Sequence, residues 1–172
     1  MNTASIPSLH TTILSSRKSP FVTIPVTIRA AMRFCELHHS YLSFPRGAMF
    51  AIGTATKAQP QHAVCIAIIG RPRNVHLQSI GACEVYRLVS TAEQFGAASR
   101  TLATASHAAR ILGYSRIISY VDASKTAACY RAAGWNLASR SKRRGWHGRQ
   151  PRISDPSETC RYEIVFSTHQ LD

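Results

Sequence analysis

The stretch SYVDASKTAACYRAAGW, residues 119 to 135, sets an aspartate and a tyrosine eight residues apart in a chain with only eight acidic residues. Asp122 follows the apolar run IISYV and precedes Ser124, so it stands where a strand runs out. A carboxylate there has two uses. It makes a turn or helix cap through its own side chain, or it lines the crevice beyond the carboxyl ends of strands in an α/β sheet. Tyr130 lies about two helical turns further on. It reads either as a core aromatic or as a phenol sharing that crevice. His38 and His39 close a helix-periodic segment. Histidine there complements the helix dipole or acts as a general base toward an amine. Glu84, inside ACEVYRLVS, needs a partner if buried, and Arg87 or Arg71 would make a structural ion pair with it. The segment SRSKRRGWHGRQPR gathers Arg140, Lys142, Arg143, Arg144, Arg149 and Arg152 around Trp146 and His147. That mixture suits phosphate contact plus stacking, or a solvated basic loop.

These residues belong to a strongly cationic chain. Its 172 residues carry a formal charge of +13, and 17 of the 21 basic side chains are arginine. Arginine forks match phosphate, so the bias points to a polyanion, double-stranded DNA above all. The five cysteines are odd in number and widely spaced, which argues for a reducing cytoplasm and against structural zinc. No apolar run reaches the roughly 18 residues of a membrane span, so no membrane partner is expected.

The length fits one domain. Residues 1–20, rich in Ser and Thr and free of acid, read as a disordered tail, and residues 21–168 as a single domain. Apolar runs and breakers predict strands at 21–28, 48–55, 62–70, 82–90, 115–121, 135–140 and 160–167. Helical patterns cover 29–39, 96–113 and 124–134, with Gly113 and Gly134 as stops. Within 82–90, alternation sets Cys83, Val85 and Arg87 on one face and Glu84, Tyr86 and Leu88 on the other. Three consecutive strands exclude a doubly wound sheet. The expected class is α/β (α+β), a central mixed sheet with helices on both faces.

This order resembles the GNAT acyltransferase fold. The pieces ELHHSYLSFPRGAMFAIG, AVCIAIIGRPR, CEVYRLV, HAARILGYSRIISYVDAS and YRAAGW are more closely similar to phage Mom-type DNA-modification proteins and related phage GNAT-like proteins. The resemblance implies an enzyme of the bacterial or phage-infected cytoplasm. It would place a small acyl-type group on the exocyclic amine of adenine in DNA and so protect the DNA from restriction. It implies catalytic roles for His38, Ser40, Asp122 and Tyr130, with His39 standing where the family has tyrosine. It implies an acetyl-CoA or other acyl-CoA donor held at Arg71, Gly96, Ala98 and Ser99. Glu93 occupies the place of the family's Gln or Arg. DNA would meet Arg140, Lys142, Arg143, Arg144, Trp146 and Arg149. His38, Asp122 and Tyr130 together would form a hard N/O set suited to iron. Two other readings stand beside this one: an acyl-CoA-dependent N-acetyltransferase acting on a small amine or protein, and a non-catalytic nucleic-acid-binding scaffold.

Overall fold

The computed structural model describes residues 19–38, 47–91, 95–142 and 158–166. Along the chain these form β1 (Phe21–Pro25), α1 (Ile28–His38), β2 (Ala48–Thr56), β3 (Gln59–Gly70), α2 (Val75–Ser79) and β4 (Ala82–Ser90). There follow α3 (Ala97–Ile111), β5 (Arg116–Asp122), α4 (Ala128–Ala132), β6 (Asn136–Lys142) and β7 (Glu158–Val165). The strands make one sheet in the order β1-β2-β3-β4-β5-β7-β6. Only β4 and β5 are parallel, because a parallel pair needs a crossover and α3 supplies it. The expected mixed sheet with helices on both faces is what the chain builds.

The run VCIAIIG explains the layering. Alternate residues of β3 reach opposite faces, and both faces are covered, so the run is apolar throughout. Ala67 and Ile69 pack with Leu102, Ala105 and Ala109 of α3. Ile66 and Ile68 pack with Ala31 of α1. Each fully buried isoleucine contributes about 1.5–3 kcal/mol. The buried stripe of α3 is Ala97, Thr101, Leu102, Ala105, Ser106 and Ala109. Its small side chains let the helix lie close to the sheet. Two departures from the sequence reading stand out. VHLQS is a short helix rather than loop, capped by Asn74, whose Oδ1 accepts from the His76 N–H at 2.9 Å. The predicted helix 124–134 shrinks to α4, because Ser124 belongs to the preceding turn and Ala127 holds a left-handed φ of 48°.

β4 carries a bulge that the alternation did not foresee. Ile69 pairs with Val85 but Ile68 pairs with Arg87, leaving Tyr86 as the extra residue. The bulge reverses the faces beyond it. Arg87 joins Glu84 and Ile68 on the α1 side, and Leu88 turns to the α3 side with Ala67. Gly70 makes room for the Tyr86 ring. A Cβ there would overlap that ring and lie 2.5 Å from the Gly47 carbonyl oxygen. Gly70→Ala is therefore expected to cost about 1–3 kcal/mol, read as a lowered denaturation midpoint.

Candidate functional site

The site begins where β4 and β5 separate. Their pairing runs from Ala82↔Arg116 to Val85↔Ser119 and stops, although β4 continues to Ser90 and β5 to Asp122. The cause is the neighbouring bulge, since an extra residue bends its strand and increases its twist. Beyond the last pair, both strands turn backbone N–H and C=O groups toward a gap instead of a ladder partner. A cavity of about 710 Å³ fills this notch. Its walls are residues 85–89 of β4, Ser119–Asp122 of β5, the first turn of α3 and Ala128–Tyr130 of α4.

α3 points its N-terminus into the cavity. Gly96 takes φ 90°, a conformation that suits glycine, and among the described residues no side chain caps the helix. Its first turn holds no acid. The Ser99 hydroxyl donates back to the Gly96 carbonyl at 2.9 Å, so it leaves the first N–H groups uncapped. Gly96, Ala98 and Ser99 all line the cavity. A 15-residue helix ending this way favours an anion.

Tyr130 is buried, stacked on Tyr162 and edge-on to Trp135. Its hydroxyl lies 2.9 Å from the Ser119 hydroxyl, inside the notch wall. Burial pushes the phenol up to about 12, against the opposing effect of the Ser119 hydrogen bond. Tyr130 therefore keeps its proton at neutral pH. Ser119 escaped the sequence reading, and its only signal there was a small polar residue inside the apolar run IISYV.

Asp122 ends β5 at the cavity rim. Its Oδ1 accepts from the Ser124 N–H at 2.9 Å, and this bond is the main influence holding its pKa below the usual aspartate value. The turn reading thus has its bond. Asp122→Asn, which keeps the turn acceptor, is expected to match the wild type in thermal midpoint, while Asp122→Ala falls below it. A lowered midpoint in the Asn variant would mean that the charge, not the turn, matters.

Several expected groupings do not assemble. His38 stands exposed at the end of α1 with its ring against Phe34, on the sheet face opposite α4. It is not among the cavity residues, so the iron set of His38, Asp122 and Tyr130 is not formed. Among the described residues, no three His, Cys, Asp or Glu side chains converge on a common point. Arg71 follows Gly70, which pairs with Glu84 near the start of β4. Gly96 lies past the other end of that strand, about 20 Å away at strand rise. Arg71 therefore does not join Gly96, Ala98 and Ser99. Arg140 and Lys142 are exposed on edge strand β6. Ser40, Glu93, Arg143, Arg144, Trp146 and Arg149 lie outside the described residues.

Glu84 also finds a different partner. Its Oε2 accepts from the backbone N–H of Arg73 at 3.2 Å, and the nearby charge acting on it is that of Arg73, not Arg87 or Arg71. Arg87 donates through Nη1 to the Tyr86 carbonyl at 2.7 Å. Burial raises the Glu84 pKa from 4.5. A carboxyl raised in the folded state stabilises the fold most below its unfolded pKa, and that contribution is lost as pH rises through the folded value. Glu84→Gln keeps the acceptor for Arg73. It is expected to lose less stability than the wild type as pH rises above 4.5 through the raised folded value, measured as urea midpoints.

No protein-family description and no curated protein sequence matches the chain. Solved structures do. The ribosomal-protein-S18-alanine N-acetyltransferase of Escherichia coli superposes with a TM-score of 0.59 at 12% identity, covering 88% of this chain and 99% of that one. An acetyltransferase of Bacillus subtilis in complex with CoA gives 0.59 at 11% identity, covering 86% and 98%. The IAA acetyltransferase of Bacillus cereus gives 0.56 at 11%, covering 85% and 99%. At such identities the likeness defines the fold, and that fold is the GNAT acyltransferase fold. Among the described residues no helix is long and apolar enough to cross a membrane.

Proposed function

We propose that the chain is an acyl-CoA-dependent N-acyltransferase. One observation carries this reading: β4 and β5 part after Val85 and Ser119, and the gap leads to the uncapped start of α3. Open strand edges suit an extended, amide-bearing arm, which they hold as they would an added strand. The helix start suits a pyrophosphate. When bound, an acyl-CoA supplies an acyl group activated as a thioester. Gly96, Ala98 and Ser99 would hold its phosphates and residues 86–89 its amide arm. Tyr130, protonated and fixed by Ser119, offers a hydrogen bond to a leaving sulfur. An ordinary thiol titrates near 8.5, so complete proton transfer from a phenol near 12 would run uphill. The phenol's contribution is the hydrogen bond itself. Free thiol released from acetyl-CoA in the presence of peptide, polyamine and nucleic-acid amines tests the reading. Acceptor-dependent release supports it, and none with any acceptor argues against it.

A finer reading makes the acceptor the exocyclic amine of adenine in DNA, with protection from restriction as the result. The charge of +13 and the arginine excess support it. Mass spectrometry of nucleosides from plasmid DNA of expressing cells tests it. An added mass on deoxyadenosine supports the reading. Unmodified DNA returns the acceptor to a small amine or protein.

A further inference from the structure

Past Ser119, β5 sends alternate residues to opposite faces. Val121 belongs to the α3 side. Tyr120 shares the face of Ile118, which packs on Leu77 of α2. Tyr120 is 43% exposed, so much of its ring is open to solvent. Directly across on β7 lies Arg161, and beside it Glu163 lies across from Ile118. The Glu163 carboxylate sits 3.6 Å from Arg116 on one side and 3.6 Å from Arg161 on the other. One carboxylate between two guanidiniums leaves a positive charge over. The Nε atoms of both arginines are buried and, among the described residues, have no hydrogen-bond partner, while the two side chains as a whole are about a quarter exposed. This face therefore presents an open aromatic ring with Arg161 directly across from it and Arg116 further back along β5, the two guanidiniums sharing one carboxylate. Tyr120 also borders the notch cavity.

We infer that a single strand of nucleic acid binds this sheet face, with a base stacked on Tyr120 and phosphates on Arg161 and Arg116. The chain's charge of +13 supplies the complementarity. An acidic peptide would use the guanidiniums but give the ring no planar partner. A base inside a duplex keeps its faces stacked on its neighbours, so the ring calls for an unpaired one. The inference rests on the acyltransfer reading in one respect: a base on Tyr120 would lie at the mouth of the notch, where an acceptor amine must enter.

The test is fluorescence anisotropy with the full chain and no acyl donor. The probes are a labelled single-stranded oligonucleotide of about 12 nucleotides, an abasic strand of equal length, the duplex and polyglutamate. The base-bearing strand is expected to bind about tenfold tighter than the abasic one. Tyr120→Ala erases that difference and Tyr120→Phe keeps it. Arg161→Gln weakens both strands and lowers the salt slope by about 0.7. The inference is overturned if Tyr120→Ala preserves the difference, if the duplex outcompetes the single strand, or if polyglutamate binds equally well. Because no donor is present, these results stand whether or not the chain transfers acyl groups. Acetyl-CoA binding can likewise be measured if this face binds nothing.

Discussion

Tyr130→Phe is expected to lower the turnover number for acyl transfer by about 10²–10³-fold while leaving KM for the acyl donor nearly unchanged. The substitution removes one oxygen from a notch wall and keeps the ring. Phenylalanine can still stack on Tyr162 and meet Trp135 edge-on. The buried Ser119 hydroxyl loses a partner, which costs about 1–2 kcal/mol of stability. A thermal melt separates that loss from the kinetic one. Ser119→Ala gives the comparison: it removes the phenol's anchor but leaves the phenol, so its turnover should fall between those of the wild type and Tyr130→Phe. Steady-state kinetics at saturating donor reads both. A Tyr130→Phe enzyme with full turnover would make Tyr130 a core aromatic and nothing more.

Ala98→Glu should separate stability from donor binding. Ala98 lies in the first turn of α3, which holds no acid and, among the described residues, no side-chain cap. A carboxylate there favours the helix dipole, so the fold should be as stable as the wild type or slightly more so. The same carboxylate would stand in the cavity beside any pyrophosphate at the helix start. Repulsion at close range in a partly buried site is expected to weaken acetyl-CoA binding on the order of a hundredfold. Calorimetric titration checks the affinity and a melting curve checks the fold. Unchanged affinity would mean that the α3 N-terminus is not where the donor's phosphates lie.

The strands were legible because the apolar runs are clean and their ends are marked. VCIAIIG closes at a glycine, and IISYV closes at Asp122. The long helix was legible from its alanine-rich periodicity and from Gly96 and Gly113 at its ends. VHLQS was missed because five residues are too few to show a helical period, though Asn74 was a readable cap. The helix at 124–134 was overextended because its alanines favour helix locally. The structure instead uses Ser124 to complete the Asp122 turn. Arg87 and Leu88 were assigned to the wrong faces because nothing in ACEVYRLVS marks a bulge at Tyr86. The notch itself had no local signature. It depends on where β4 stops pairing with β5, strands with a 15-residue helix between them. Asp122 and Tyr130 both reached the cavity wall, but Ser119 and Tyr120 emerged only once the sheet was assembled.

The most direct test of the donor site is amide hydrogen exchange with and without acetyl-CoA. The proposal predicts protection in two separated segments, residues 86–89 of β4 and 97–99 at the start of α3, with β1 and β2 unchanged. Protection of neither segment at saturating acetyl-CoA, or protection confined to another part of the chain, would contradict it.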